Sequence, residues 1–520
     1  MSDSRLPRPP VWPPMSADAP PARIWPAPST PGPWPLHGVP GSREVERRAQ
    51  GQLAPFTLMR RAGTAVARLA LALAPHASRL WIVCGPGNNG GDGLVAAAWM
   101  HRAGRAVHVS LLAQPSRLPA DARSAFDEAR AAGVAMHPGA ACPFVPSQDD
   151  LAIDALLGLG SARAPEGALK DAVLALRAWP GPVLAVDLPT GLDGETGRLH
   201  DVQGGACVRA DHTLSLLTLK PGLFTGHGRD YAGTVWWHDL GTAPEVAPDA
   251  WLASPQAVAA TAVPRRHAEH KGSFGDVIVL GGAPGMVGAA VLAARAALRA
   301  GAGRVHLLPL AEHALAVDID HPELMVRELS ALEALLRGAG STVVCGCGGG
   351  EAVAHVLPTV LHGAARLVLD ADALNALALD ANLQTLLAHR GERTAATLLT
   401  PHPLEAARLL GRTSADVQAD RLGAARSLSQ RFGCTVLLKG SGTVIATPEG
   451  ATWINPTGNA ALATAGTGDV LSGWLGGTWR ADEPALDAAV RAAWGHGAAA
   501  DRWRASHEGP LPASQLITSI

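Results

Sequence analysis

The sequence predicts an α/β protein with two fused domains, each with a largely parallel sheet covered by helices. At 520 residues the chain is too long for one hydrophobic core of ordinary size. Short β-like apolar runs alternate with Ala/Leu-rich helical segments, which is typical of βαβ units. Residues 242–264 contain four prolines and interrupt that alternation. They therefore separate two series of strands, which do not repeat one another.

The first series follows a helical apolar spacing over residues 45–73. Its strands are expected at 80–85, 106–112, 151–158, 182–189, 212–219 and 234–241. Residues 1–40 are rich in proline and tryptophan without a signal-peptide pattern, so we expect a disordered or loosely packed extension. The first domain is predicted over 41–241, with a linker over 242–261.

The second series predicts a domain over 262–505, followed by a C-terminal tail over 506–520. Its strands are expected at 276–282, 304–310, 341–346, 366–372, 396–402 and 435–440, with a hairpin over 443–454. The carboxyl ends of parallel strands lie at one edge of a sheet, so polar residues that follow these strands are candidates for a shared site.

The composition indicates a folded, nearly neutral protein. Hydrophobic residues make up 47% of the chain, and the net charge is -2. This charge gives no electrostatic footprint for nucleic acid or for an anionic membrane. The apolar runs are shorter than the ~20 residues of a membrane-spanning helix. The six cysteines form no CxxC pair, which favours reduced thiols. We expect a soluble cytoplasmic protein with small-molecule partners.

A first candidate site follows the strand at 80–85. The segment GPGNNGGDG places glycines, two asparagines and an aspartate before a helix that is predicted from Leu94. Glycines permit positive φ and close backbone approach, and a helix N-terminus favours an anion. Asp154 and Asp187 end two further strands, where each could serve a ligand, a cation or proton transfer, or simply cap the following turn.

Over residues 41–241 the chain resembles the NAD(P)H-hydrate epimerase family, also called the YjeF N-terminal domain. The segments NNGGDG, DALLG and VDLPTG carry the resemblance, which implies a Rossmann-like three-layer α/β/α fold. It also implies that the hydrated nicotinamide nucleotide is bound by Asn88, Asn89, Gly90, Gly91, Asp92, Gly158, Leu159, Gly160, Ser161, Ala162, Arg163, Ala164 and Asp187. Asp187 would transfer a proton at the reacting centre. A potassium ion would be held by Asn89, Asp154 and Thr190, where the family usually has serine in place of Thr190.

Lys220 lies in LTLKPGLFTG, which also matches a segment of that family. A role in packing or in a salt bridge is the interpretation we favour for this lysine.

A second candidate site centres on the segment AGTGD at 465–469, which leads into an apolar helix. A glycine-rich turn at a helix N-terminus offers N–H groups to a phosphoryl group in transfer, with Asp469 as a possible general base. Lys439, one of only four lysines, ends a strand before GSGT, which suits nucleotide phosphates. The segments DADALN and TPHPLE end two more strands, and such convergence is what phosphoryl transfer requires. His402 could instead be structural, and Glu405 could cap a helix or orient a magnesium-bound water.

Over residues 262–505 the chain resembles the ADP-dependent NAD(P)H-hydrate dehydratase family, which has a ribokinase-like α/β/α fold. The segments LDADALN, LTPHPLEAARLLG, LLKGSGTVIA and GNAALATAGTGDVLSG match its pattern. The resemblance implies that the adenine nucleotide is bound by Lys439, Gly440, Ser441, Gly442, Thr443 and Gly468. The hydrate would contact Ala289, Gly350, His402 and Asp469. Where the family usually reads GPGLG, this chain has GCGGG at 346–350.

Together the two resemblances imply a bifunctional enzyme that repairs NADHX and NADPHX, the hydrated forms of the reduced nicotinamide cofactors. We expect K⁺ in the first domain, Mg²⁺ and ADP, or else ATP, in the second, and a homo-oligomer. Two alternatives stay open. A kinase for a sugar or a vitamin precursor would share the GTGD turn, and a first domain without chemistry could act as a binding or scaffold module.

Overall fold

The computed structural model describes residues 24–27, 32–161, 163–201, 206–242, 245–259, 266–312, 316–338, 340–392 and 395–520. The chain divides into two compact units, one ending at Ser254 and the other running from Pro255 to Ile520. Each unit is α/β with a mixed sheet, as the sequence predicted.

The N-terminal unit has one main sheet and a separate short strand pair. Its strands are β1 (Trp25–Pro26), β2 (Trp34–Leu36), β3 (Leu80–Cys84), β4 (Val107–Leu111), β5 (Ala135–Pro138), β6 (Leu151–Ala155), β7 (Val183–Val186), β8 (His212–Leu216), β9 (Thr234–His238) and β10 (Ala250–Leu252). Its helices are α1 (Val39–Gln52), α2 (Thr57–Leu73), α3 (Asn88–Arg102), α4 (Ala120–Ala131), α5 (Ala168–Arg177) and α6 (Gly228–Tyr231).

The main sheet has the order β1-β9-β8-β7-β6-β3-β4-β5. Neighbours from β9 to β5 are parallel, and β1 pairs with β9 in the antiparallel sense. The run β5-β4-β3-β6-β7 is the doubly wound order, in which the chain reverses direction across the sheet between β3 and β6. Ligands bind outside the carboxyl ends of the strands at such a reversal point.

Both faces of this sheet are buried, which makes the unit three-layered. Alternate residues of β3 belong to different hydrophobic clusters, because successive side chains of a strand point to opposite faces. Ile82 packs with residues of α2, α3 and α4 on one face. Trp81 and Val83 pack with α5 on the other face.

The C-terminal unit contains a longer mixed sheet. Its strands are β11 (Asp276–Gly281), β12 (Arg304–Pro309), β13 (Met325–Val326), β14 (Thr342–Cys345), β15 (Arg366–Leu369), β16 (Thr397–Leu399), β17 (Thr435–Leu438), β18 (Val444–Ala446) and β19 (Thr452–Ile454). Its helices are α7 (Pro255–Ala259), α8 (Val287–Ala300), α9 (Leu332–Leu336), α10 (Val353–Gly363), α11 (Ala371–Leu379), α12 (Ala381–Glu392), α13 (Pro403–Leu410), α14 (Ser414–Ala419), α15 (Arg421–Phe432), α16 (Thr467–Thr478), α17 (Ala485–Arg504) and α18 (Ala513–Ser519).

Within this unit the strand order is β13-β12-β11-β14-β15-β16-β17-β18-β19. The strands from β13 to β17 are parallel, and β18 and β19 form the expected antiparallel hairpin. The chain reverses direction across the sheet between β11 and β14. The carboxyl ends of β11, β14, β15, β16 and β17 therefore lie along one edge, beside the motifs that the sequence analysis singled out.

The structure differs from the expected boundaries near the ends of the domains. Residues 1–23 and 28–31 of the expected extension lie outside the described residues, but β2 pairs with β10. Burial of apolar side chains explains this order: Trp34 is buried and meets Trp237 edge to face at 5.1 Å. The expected linker over 242–261 thus contributes a strand, β10, and the helix α7. The expected tail forms α18, whose Leu516 is buried.

Two short strands, β5 and β13, were not expected, and α3 begins six residues before the predicted start at Leu94. Among the described residues no helix has the length and apolar character to cross a membrane.

Candidate active sites in the two units

The N-terminal unit has a cavity of about 550 Å³ at the carboxyl edge of β3, β6 and β7. Many of the residues predicted to bind the hydrated nucleotide line it: Asn88, Asn89, Asp92, Gly158, Leu159, Gly160, Ser161 and Asp187. Gly90, Gly91, Arg163 and Ala164 are not among its lining residues, and Ala162 lies outside the described part of the chain. The structure therefore brings together most of this predicted set.

The glycines of GPGNNGGDG allow close packing and do not adopt positive φ. A Cβ atom on Gly90 would lie 2.1 Å from the Gly85 carbonyl oxygen, and one on Gly93 would lie 2.6 Å from the Ala155 Cβ. These contacts exclude any side chain, so the segment forms the first turns of α3 directly against β3 and β6. The prediction that the helix starts at Leu94 was wrong, because Gly90, Gly91 and Gly93 are part of the helix and do not form a turn before it.

Asp187 follows β7 and holds a left-handed backbone conformation, with φ of 68°. Aspartate adopts this conformation more often than most residues other than glycine, and residues held in it also occur at functional sites. Its Oδ1 accepts a hydrogen bond from the Lys220 ammonium, and its Oδ2 accepts one from Leu159 N at 3.3 Å. Lys220 is buried and also donates to the Leu216 carbonyl at 2.8 Å. The interpretation of Lys220 as a salt-bridging residue is confirmed, and its partner is the predicted proton-transfer residue.

Three carboxyl groups influence one another around this cavity. Burial raises the pKa of Glu46, and the charge of Asp187 adds to the effect. Burial also raises the pKa of Asp92 well above its ordinary value, with further contributions from Asp187 and Glu46. Glu46 was missed by the sequence analysis. Nothing in its local sequence marks it, because it lies in the mostly charged segment 43–48.

Asp154 is fully buried at the end of β6 and is bonded to neutral groups. Its carboxylate accepts hydrogen bonds from Thr190 N and Thr190 Oγ1, both at 2.8 Å, and from Leu156 N at 3.1 Å. Burial raises its pKa to about 6, and these hydrogen bonds counteract that rise in part. A buried carboxylate with neutral partners is stabilised by a nearby cation.

Asn89 is the third residue of the predicted potassium site. Its Nδ2 is buried and has no hydrogen-bond partner. A Cβ atom on Gly158 would lie 3.2 Å from Asn89 Oδ1, while the adjacent Leu157 N donates to Thr190 Oγ1 at 3.1 Å. Residues 156–158 thus contact all three members of the set. Their amide, hydroxyl and carboxylate oxygens suit a hard cation, whereas the described residues include no cluster of three His, Cys, Asp or Glu that could hold a metal.

In the C-terminal unit the AGTGD segment forms a turn at the start of α16. Gly466 is the N-cap residue with φ of 88°, so this glycine, unlike those of GPGNNGGDG, adopts the left-handed conformation. Asp469 lies in the first turn. Burial raises the pKa of Asp469 to about 6, the charge of Asp370 raises it further, and a hydrogen bond from the Cys347 thiol opposes the rise.

Lys439 at the end of β17 approaches this turn. A Cβ atom on Gly468 would lie 3.3 Å from Lys439 Nζ. The ammonium donates to Asp370 Oδ1 at 2.6 Å, and Ser472 Oγ of α16 donates to Asp370 Oδ2 at 2.5 Å. The buried Asp370 therefore connects the strand-end lysine to the helix that carries Asp469. The sequence analysis noted only that its segment ends a strand.

Hydrogen bonds from the buried Arg421 stabilise the loop that follows Lys439. Gly440 and Gly442 adopt positive φ of 135° and 62°. The buried Arg421 of α15 donates through one terminal nitrogen to the carbonyls of Leu438 and Lys439, both at 3.2 Å, and to that of Gly442 at 3.5 Å. Arg421 was missed by the sequence analysis because, in a chain with so many arginines, nothing in its local sequence marks it as buried.

The four predicted hydrate-binding residues lie in four places: Ala289 on α8, Gly350 in the loop after β14, His402 at the start of α13 and Asp469 on α16. A Cβ atom on Gly348 would lie 2.9 Å from the Ala289 Cβ, and Gly350 N donates to Asp372 Oδ2 at 2.9 Å. The GCGGG segment thus packs against α8 on one side and bonds to α11 on the other.

His402 and Glu405 form a reciprocal cap at the start of α13. His402 Nδ1 accepts from Leu404 N at 3.1 Å, and Glu405 Oε2 accepts from His402 N at 2.8 Å. Burial and the charge of Lys439 lower the pKa of His402, which favours the neutral imidazole. The structural interpretation of His402 and the capping interpretation of Glu405 are therefore both confirmed. Capping does not exclude a ligand contact, because the charge of Lys439 acts on both side chains and favours a lower pKa in each.

Comparison with known protein families assigns both units. Residues 277–520 match the model for NAD(P)H-hydrate dehydratase, and residues 55–222 match the model for the YjeF-related protein N-terminus. The bifunctional NAD(P)H-hydrate repair enzyme Nnr of Escherichia coli is 39% identical over 460 residues, covering 86% of this chain and 85% of that protein. The Nnr of Coxiella burnetii is 36% identical, covering 90% of this chain and 94% of that protein.

Among solved structures, an ADP/ATP-dependent NAD(P)H-hydrate dehydratase from Bacillus subtilis, co-crystallised with ATP and Mg²⁺, is 31% identical. The match covers 51% of this chain and 94% of the Bacillus subtilis chain, with a TM-score of 0.44. The assignment depends on the sequence relatives, which are similar over most of their length and over most of this chain. This chain belongs to the family of bifunctional NAD(P)H-hydrate repair enzymes.

Proposed function

We propose that this chain interconverts the R and S epimers of NADHX and NADPHX in its N-terminal unit and dehydrates the S epimer in its C-terminal unit. The observation that carries the proposal is that each unit places one partly buried carboxylate, Asp187 or Asp469, at the sheet edge where its motif residues converge. The names and full-length similarity of the relatives support both activities in one chain.

In the N-terminal unit, Asp187 is the proposed proton-transfer group. The strained backbone after β7 and the bond from Lys220 fix its carboxylate at the cavity wall. The hydrated nicotinamide end of the substrate would lie between Asp187 and the residues of α3 and of the 158–161 loop. General acid–base groups in such positions contribute about 10²–10⁴-fold to the rate.

Asn89, Asp154 and Thr190 are the proposed ligands of a potassium ion. Bound there, the ion would supply positive charge beside the buried Asp154 carboxylate and fix the 156–158 loop. The role of these three residues is then to order one wall of the cavity.

In the C-terminal unit, Asp469 is the proposed general base. It would take the proton of the added hydroxyl as that oxygen attacks the terminal phosphoryl group of ADP, releasing AMP. The N–H groups at the start of α16 would stabilise the transferring phosphoryl group, and Lys439 to Thr443 would hold the nucleotide. Elimination of the phosphate ester then restores NADH or NADPH. Mg²⁺ would neutralise phosphate charge, and ATP could replace ADP.

We further propose a cytoplasmic location and a homo-oligomeric state. Gel filtration of the purified chain, with light scattering to measure the mass, tests the oligomeric state. Cell fractionation tests the location.

The central test mixes the purified protein with both epimers of NADHX, Mg²⁺ and K⁺, with and without ADP, and follows the absorbance of NADH. The absorbance should rise only when nucleotide is present. Asp187→Asn should leave the R epimer unconsumed at early times, and Asp469→Asn should abolish the rise. If neither ADP nor ATP produces a rise, the proposed repair function is wrong.

A further inference from the structure

A second cavity, of about 380 Å³, adjoins the 550 Å³ cavity of the N-terminal unit. The two share five lining residues: Gln50, Leu58, Asn88, Pro119 and Asp121. The far wall of the second cavity is apolar and includes Leu53, Pro55 and Phe56. The resulting site has a polar, acid-containing end beside Asp187, a polar junction and an apolar end.

Phe56 has an unusual conformation at that apolar end. It is the N-cap residue of α2, with φ of 66° and ψ of -8°, and its side chain makes no capping hydrogen bond. A bulky residue in the left-handed region is a rare outlier, and such outliers cluster at ligand-binding sites. The guanidinium of Arg60 lies 4.8 Å from the ring centroid and restrains the ring. Capping therefore does not account for the conformation of this residue, which packs in part against the hydrophobic cluster beside α2 and in part lines the second cavity.

We propose that the second cavity binds the adenosine half of the dinucleotide substrate, with the adenine base stacked on Phe56. The inference rests on the proposed epimerase function. If the hydrated nicotinamide lies beside Asp187, the rest of the dinucleotide leaves the first cavity across the shared wall. Gln50 and Asn88 then provide amide groups for the riboses and phosphates between the two bases, and Asp121 provides a carboxylate that can accept hydrogen bonds from ribose hydroxyls. An aromatic face at the far end suits a purine.

The test compares two substrates in the absence of ADP, so that only epimerisation is measured. Pure R epimers of NADHX and of the hydrate of reduced nicotinamide mononucleotide, which lacks adenosine, are converted to S and resolved by chromatography. Phe56→Ala should raise the KM for R-NADHX by roughly 5- to 100-fold, the range expected for loss of base stacking. It should leave the KM for the mononucleotide hydrate unchanged, while Phe56→Tyr should retain the wild-type KM for both.

Phe126→Ala is the matched control. Phe126 is also half-buried against the same hydrophobic cluster and also has an arginine, Arg130, 5.7 Å from its ring centroid. This variant should change neither KM. If Phe56→Ala raises both KM values equally, or lowers only kcat, its role is structural and the proposal is overturned.

A second measurement does not depend on the alanine variant being stable. AMP should inhibit epimerisation of R-NADHX competitively in the wild type and much less in Phe56→Leu, which keeps apolar volume but has no aromatic face. Equal inhibition of both proteins would contradict the adenosine site. If the wild type epimerises neither substrate, the failure belongs to the proposed epimerase function.

Discussion

Burial and the neighbouring Asp370 raise the pKa of Asp469 to about 6, which places its titration near neutral pH. A general base acts only when it is deprotonated, and a base with a pKa just below the working pH combines that state with good proton affinity. The carboxylate of Asp187 is instead fixed in position by its left-handed backbone conformation and by the ion pair with Lys220. At the scale of single residues, each site thus has one carboxylate, and a different physical effect acts on it in each site.

The pH dependence of the dehydratase tests the role of Asp469. We expect kcat/KM for S-NADHX to fall about tenfold per pH unit below pH 6, because protonation removes the base and this parameter reports the free enzyme. Above the pKa the profile should be level. Steady-state rates from pH 5 to 8 measure this limb. An acid limb with its midpoint below pH 5 would contradict the assignment.

Cys347 offers a test within the same site, at a position where the family usually has proline. Its thiol donates a hydrogen bond to Asp469, which favours the carboxylate. Cys347→Ala should move the acid limb upward by about 0.4–1 pH unit, the equivalent of one neutral hydrogen bond. Cys347→Ser keeps a donor and serves as the control, so its limb should stay near that of the wild type. Equal shifts in both variants would mean that the thiol acts only through packing.

At the scale of elements, glycines set how closely the helices approach their neighbours. In α16, a Cβ atom on Gly473 would lie 1.9 Å from the Ala293 carbonyl oxygen of α8. The same principle operates in α3, where Gly90 and Gly93 meet the backbone and side chains of the sheet edge. Helix packing of this kind brings the α16 N-terminus, and with it Asp469, to the ends of the strands.

Gly473→Ala should lower the free energy of unfolding of the C-terminal unit by about 1–3 kcal/mol, because α8 and α16 must separate to admit the methyl group. Gly495→Ala in α17 is the control, since its added Cβ would meet only Trp474 Nε1 at an ordinary 3.5 Å. That substitution should be neutral or stabilising by up to about 1 kcal/mol, through helix propensity. Residual dehydratase activity in increasing urea measures both effects. A Gly473→Ala curve that matches the wild type would disprove the packing argument.

At the scale of the whole molecule, each candidate site is built from residues of one unit. The residues that line the Asp187 cavity lie between Ser42 and Leu240. The contacts around Asp469 involve residues between Ala289 and Ser472. Among the residues that the structure describes, the groups proposed for each reaction therefore come from a single unit.

Because the proposed groups of each site come from a single unit, we expect two inactive variants to complement one another in a mixture. Asp187→Asn supplies a working dehydratase and Asp469→Asn a working epimerase, so S-NADHX released by the second protein can be consumed by the first. We expect the mixture to convert all of an R and S mixture to NADH at a rate that increases with protein concentration. A mixture that leaves the R epimer behind would mean that substrate must pass between sites of one chain.

Local pattern was sufficient to predict the strands and the strand-end motifs. Short apolar runs and glycine-rich breaks are properties of neighbouring residues, and 12 strands with their hairpin follow them to within a few residues. The unexpected strands include β5 and β13, which are short and pair with the preceding strand, and also β2, whose order depends on a distant partner. β2 needs β10, which lies more than 200 residues away, to bury Trp34 and Leu36.

The sequence by itself determined two α/β domains, the order of their motifs and the residue types at each strand end, because these depend on local periodicity and composition. Only the tertiary structure decided that Lys220 bonds to Asp187, that Asp370 links Lys439 to Ser472, and that Arg421 supports the 439–443 loop. It also decided that the glycines of α3 allow close packing and do not form a turn. Long-range packing sets those partners, and no short segment of the chain contains both members of such a contact.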